Sequence, residues 1–140
     1  MPVSFHFPAK TNLRDRTRLK SFIPAIFKRE GRKLQELSII FCSDEELLQI
    51  NRDFLRHDYY TDIITFNLGA EADTDINAEI YISTDRVREN ALQFQQSFTH
   101  EIHRVIFHGI LHLCGYKDKS KADISLMRKK EEEYLSRYFS

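Results

Sequence analysis

No stretch of this chain approaches the ~18–20 consecutive apolar residues that cross a bilayer, so no membrane-spanning helix is expected. The first residues, Met1-Pro2-Val3-Ser4-Phe5-His6, lack a charged segment followed by an apolar core and a small-residue cleavage site. Secretion is therefore not expected, and the cytoplasm is the expected location. Cysteine is scarce. Cys42 falls in an apolar, strand-like run and Cys114 in a helical one, which excludes a disulfide framework and fits two buried thiols in a reducing compartment. Net charge is absent, with 21 basic residues against 21 acidic ones. No repeat, low-complexity tract or linker interrupts residues 1–140, a length that suits one domain with one core.

What is present is unevenly placed. Residues 1–33 carry nine basic side chains, from Lys10 and Arg14 to Arg32 and Lys33, against only Asp15 and Glu30. The remainder has the matching acidic surplus. Such a basic region is compatible with a polyanionic partner such as nucleic acid, although a solvated helix face explains it more simply.

Hydrophobic periodicity places the elements. Val3–Phe7 reads as a short strand ended by Pro8. Asn12 to about Glu30 is helical in pattern, and Pro24 within it predicts a kink or a start near Ser21. Leu37–Cys42 is a buried strand by its β-branched apolar run. Ser43 with Glu46 marks a capping box, and a helix follows through Leu47, Leu48, Ile50, Phe54 and Leu55. His57–Tyr60 is a loop, Thr61–Leu68 a third strand, Gly69–Asn77 an acidic turn containing Asp73, Thr74 and Asp75, and Ala78–Ile82 a fourth strand. Three helices complete the chain. The first opens at Ser83 and Asp85, with Val87, Ala91, Phe94 and Phe98 on one side. The second opens near Ser97 or Thr99 and is apolar enough to be central. The last starts at Ser120, burying Ile124, Met127, Tyr134 and Tyr138 and showing Lys129, Lys130, Glu131, Glu132 and Glu133 to solvent. Adjacent strands three and four can pair directly, whereas the earlier ones need parallel crossovers. The expected fold is α+β: a small mixed four-stranded sheet covered by about five helices.

The central helix carries the chemistry: His108-Gly109-Ile110-Leu111-His112-Leu113-Cys114-Gly115-Tyr116-Lys117-Asp118. Residues four apart on a helix turn through about 400°, so His108 and His112 share a face one turn apart. That spacing suits two imidazoles on one metal ion. A hydrogen-bonded core pair would show it too, but here Gly115 permits a sharp exit with positive φ and Asp118 follows at a distance that lets it fold back. Three protein ligands leave a position for water, the arrangement of a catalytic zinc. Gly109 stands where the zinc proteases of H-E-x-x-H type carry their general base. Cys114 is a poor ligand, being about 200° from His112 around the helix. His57 is an alternative third ligand.

The His108–Tyr116 segment resembles the hallmark of the YbeY family of metal-dependent bacterial endoribonucleases. Thr61-Asp62-Ile63-Ile64-Thr65-Phe66 is similar to that family's second signature, and Asn51-Arg52-Asp53-Phe54 and Ala78-Glu79-Ile80-Tyr81-Ile82 fall in the expected order, so the likeness covers about Leu37 to Met127. It implies a single-strand-specific endoribonuclease acting in 16S rRNA 3′-end maturation and ribosome quality control. It also implies one zinc ion, and rRNA, the small ribosomal subunit and ribosome-assembly proteins as partners, with no membrane and no DNA. The family's three metal-binding histidines map to His108, His112 and Asp118, so a carboxylate replaces one imidazole. The family's catalytic arginine maps to Leu55, which leaves Arg56, Arg52 and Arg104 as candidates for the guanidinium. Asp62 is a candidate for ordering a water or a histidine proton, and Tyr116 for stacking on an unpaired base; a strand-start cap and packing against the turn explain them equally well. Two other readings stand beside this one. A metalloprotease-like zinc hydrolase shares the H-x3-H-x2-G-x2-D spacing, and a ribosome-associated assembly factor would use the metal structurally.

Overall fold

The computed structural model describes residues 2–69 and 75–140. Its elements run β1 (Val3–His6), α1 (Arg16–Arg29), β2 (Lys33–Cys42), α2 (Asp44–Leu55), β3 (Ile63–Asn67), β4 (Asp75–Ser83), α3 (Thr84–Gln93), α4 (Phe98–Leu113) and α5 (Lys121–Phe139). The strands form one sheet in the order β1-β2-β4-β3. β1 pairs parallel with β2 and β2 parallel with β4, while β3 is antiparallel to β4. The mixed sheet and five helices match the fold expected from periodicity. Asp73 and Thr74 of the expected acidic turn lie outside the described residues, and Asp75 already belongs to β4.

Alternation along each strand sorts the two faces of the sheet. Leu37, Ile39 and Phe41 of β2 and Ile76, Ala78, Ile80 and Ile82 of β4 point into the main core, where they meet Leu19, Ile23 and Phe27 of α1 and Ile102, Val105, Ile106 and Ile110 of α4. The other face carries a smaller cluster of Cys42, Leu47 and Ile64 beneath α2. Burial pushes the Cys42 and Cys114 thiols up to about 12, so both stay protonated and inert at neutral pH.

Several boundaries differ from expectation for identifiable reasons. β2 begins at Lys33 rather than Leu37, because its mostly polar start is held by pairing with Asp75 and Ile76 of β4, a partner remote in the chain. α1 begins at Arg16, after Asp15 in the left-handed conformation, and passes through Pro24 without a restart at Ser21. The Ser43–Glu46 capping box is formed. Ile124 and Phe94 are exposed where burial was expected. The opposite correction matters more: Glu131, read as part of a solvated charge run, is buried. It sits on the α5 stripe of Met127, Tyr134, Leu135 and Tyr138, facing polar partners on α4.

Candidate metal centre

α4 is held against the sheet by its own glycine. A Cβ on Gly109 would come within 2.7 Å of Ile63 Cδ1 and 3.1 Å of Ile80 Cδ1. The helix therefore approaches β3 and β4 more closely than any side chain at 109 would permit. Arg104, His108 and His112 lie on the adjacent flank of the helix, which stays partly exposed. The close approach at Gly109 also leaves no space for the glutamate that a protease of the H-E-x-x-H type needs at this position.

The turn after α4 then returns the chain. Cys114 caps the helix, Gly115 has φ +105°, and its N–H bonds to His112 O while Tyr116 N–H bonds to Leu111 O. Those two bonds define a Schellman motif, in which the left-handed residue is normally glycine. Arg32 donates to Cys114 O at 3.1 Å and ties the turn to the end of α1. Asp118 is thereby carried back beside the histidines.

The geometry of the three side chains fits one cation. His112 Nε2 lies 3.1 Å from Asp118 Oδ2 and His108 Nε2 lies 3.5 Å from the same oxygen. The imidazole rings stand at 80° with centroids 4.8 Å apart. One donor atom from each residue falls within 4.8 Å of the others. Tetrahedral zinc with bonds of about 2.0–2.2 Å keeps its ligand atoms roughly 3.3–3.6 Å apart, so the three donors need move little to close on it. Two neutral nitrogens and a carboxylate oxygen are donors that zinc accepts, and together they support a single Zn2+ as cofactor. No other group of three such donors converges among the described residues, and His57 is not in this one. His57 instead stacks on Tyr59 and shares a 3.0 Å hydrogen bond with its hydroxyl.

Beneath the ligands lies a layer that spacing did not reveal. Glu131 Oε2 is 2.6 Å from His108 Nδ1, and Glu131 Oε1 accepts from Arg104 Nη1 at 3.1 Å. Arg104 also donates from Nε and Nη2 to both oxygens of Glu101, at 2.8 and 2.7 Å. Burial alone would raise the Glu131 carboxyl, but the His108 hydrogen bond and the Arg104 charge hold it below the usual carboxylate range. The hydrogen bonds to Glu101 likewise hold Arg104 above its ordinary value. A signal for Glu131 did exist in the chain. It lies four residues after Met127 and three before Tyr134, on the buried helical stripe, and its charge masked that position.

The arginine candidates separate in space. Arg52 is exposed and bonds Asp58 Oδ1 at 2.5 Å. Arg56 is exposed, caps α2 in the left-handed conformation, and has no ion pair among the described residues. Arg104 is occupied by two glutamates. Arg128, passed over in the sequence, lines a cavity of about 190 Å³ with His108, Asp118 and Arg104. Asp62 lies before β3; its backbone oxygen accepts from Ser83 N–H and its Oδ2 from Asn90 at 3.4 Å. Burial raises its carboxyl above the ordinary range, against the charges of Arg104 and His108. Tyr116 packs on the core and donates to Glu30 at 2.6 Å, which favours the packing account of it.

Comparison with known proteins agrees with this picture. A family model described as Endoribonuclease YbeY matches residues 8–139. A protein of that description from Cytophaga hutchinsonii is 50% identical over 124 residues, 89% of this chain and 86% of the relative. Another, from Flavobacterium psychrophilum, is 44% identical over 135 residues, 95% of this chain and 94% of the relative. Among solved structures, the solution structure of a Thermotoga maritima protein aligns with a TM-score of 0.66 at 28% identity, covering 98% of this chain and 89% of that one. No helix among the described residues is long and apolar enough to cross a membrane.

Proposed function

The chain belongs to the endoribonuclease YbeY family, and we propose that it is a zinc-dependent endoribonuclease cutting single-stranded RNA in 16S rRNA 3′-end maturation and ribosome quality control. The observation that carries the reading is the convergence of both histidine Nε2 atoms on one oxygen of Asp118. Zinc held there supplies Lewis acidity toward a phosphate oxygen. The protein's own part is to fix three donors in place and to bring cations to the phosphate. Arg128, which lines the cavity beside His108 and Asp118, and Arg56, both without an ion pair among the described residues, offset the charge that builds on the phosphate oxygens. Arg52 shares its donors with Asp58 and stands behind them. Arg104 acts from beneath the site rather than on the substrate. Residues 1–140 act as one domain in the cytoplasm, with rRNA, the small ribosomal subunit and ribosome-assembly proteins as partners and DNA outside the substrate range.

Steric closure at Gly109 counts against the protease alternative. The test pairs the zinc-loaded protein with its His112→Ala variant on single-stranded RNA, double-stranded RNA and a peptide panel. Cleavage of single-stranded RNA alone, lost in His112→Ala while circular dichroism shows a folded chain, is expected. Unchanged turnover in the variant rejects the reading. Full rescue of ribosome maturation by the variant would instead favour an assembly factor with a structural metal.

A further inference from the structure

We propose that Glu131 is a positioning residue for the metal centre: it accepts the Nδ1 proton of His108, leaving Nε2 as the lone-pair nitrogen turned toward His112 and Asp118, and Arg104, clamped by Glu101, holds Glu131 in place. This rests on the zinc reading of the three donors and goes beyond it, since neither glutamate nor Arg104 is a ligand.

The directions of the bonds fix the argument. One oxygen of Glu131 accepts a guanidinium N–H from Arg104, and the other lies 2.6 Å from His108 Nδ1. A carboxylate offers only acceptor sites, so the proton between them belongs to the imidazole. A neutral imidazole protonated at Nδ1 has its lone pair at Nε2, the atom that faces Asp118 at 3.5 Å. The chain of contacts is buried: the side chains of Glu101 and Glu131 are 1% and 3% exposed. Arg104 bridges them with three donors, which keeps Glu131 from rotating away. The relay carries one net negative charge behind His108, on the side away from the ion, and a carboxylate in that place raises the basicity of the ligand. His112 has no such partner: its Nε2 contact to Asp118 is its only side-chain hydrogen bond among the described residues. The two histidines are therefore unequal: α5 braces His108 through Glu131 and makes no side-chain hydrogen bond to His112 among the described residues.

Zinc affinity measured by competition with a chromophoric chelator tests this, with thermal melts of the zinc-free proteins beside it. Glu131→Ala is expected to weaken zinc binding about 10–100-fold and Glu131→Gln, which keeps an acceptor oxygen without the charge, by a smaller factor of about three- to tenfold. Glu133→Gln, two residues along α5 and paired with Lys130 and Arg137, leaves affinity unchanged. In the zinc-loaded parent, imidazole ¹⁵N shifts show His108 protonated at Nδ1, and Glu131→Ala loses the protection of that proton. A purely structural role would lower the melting temperature of the zinc-free Glu131 variants and leave zinc affinity within twofold of the parent; that result overturns the proposal. Should Glu131→Ala fail to fold, the near-isosteric Glu131→Gln carries the same test. No zinc binding by the parent would overturn the metal reading itself, a failure distinguishable from that of the relay.

Discussion

Lys130 and Glu131 are neighbours on α5, yet each feeds a different polar cluster. Lys130 reaches Glu30 at the end of α1, whose carboxylate also accepts from Tyr116 at 2.6 Å and from Tyr134. Glu131 reaches Arg104 and His108. Both glutamates are kept below the usual carboxylate range although burial pushes each upward; phenol hydrogen bonds and the Lys130 charge do this for Glu30, and His108 and Arg104 do it for Glu131. The physics is the same, and the consequences differ. Every contact of the Glu30 cluster ends on a group with no further task, so the cluster joins α1, the Gly115 turn and α5. The Glu131 contacts end on Arg104 and on His108, one of the three donors proposed to hold the metal. A buried, stabilised carboxylate is thus no mark of function by itself; the atom at the far end of its hydrogen bonds decides.

Mutation can break that contrast. Replacing Glu30 with Ala should have the largest effect on the fold, about 2–3 kcal/mol, because the buried Tyr134 hydroxyl and the Tyr116 hydroxyl lose their acceptor, while Lys130 keeps only Glu133. Chemical denaturation would measure it, and zinc affinity should not move. A fall in affinity would mean that the two clusters are one unit.

The next effect is a pH dependence. The carboxyl of Glu30 titrates lower in the folded chain than in the unfolded one. Its contribution is therefore fully present above the unfolded value of about 4.3 and is lost as pH falls through the lower folded value. Denaturation curves between pH 7 and pH 3 should show the parent losing stability more steeply than Glu30→Gln at the acid end. Parallel curves would show that the carboxylate gains nothing from its partners.

The smallest effect belongs to Tyr116→Phe, about 1 kcal/mol for one hydrogen bond to a charged acceptor that keeps its other partners. RNA cleavage should be unaffected. A drop in cleavage with stability intact would return Tyr116 to the role of base-stacking platform.

Much of the molecule could be read before any coordinates. His108 and His112 share a face because of helical period alone, and Gly115 announces the exit that brings Asp118 back. The Ser43 capping box and the four strands follow from local chemistry. What escaped was set by partners remote in the chain. Lys33 to Glu36 became strand because β4 lies alongside. Ile124 stayed exposed at a position whose apolar character pointed inward. Glu131 went inside because Arg104 and His108 were waiting there, whereas its charge pointed outward.

The order of residues determined the helix, its turn and the convergence of His108, His112 and Asp118, since periodicity, capping and backbone freedom act over a few neighbours. Which arginine is occupied, which histidine is braced and which glutamate is buried were decided only when α5 packed on α4. Those choices depend on pairing charges across long stretches of chain, and a buried charge can be recognised only once its counterpart is in place.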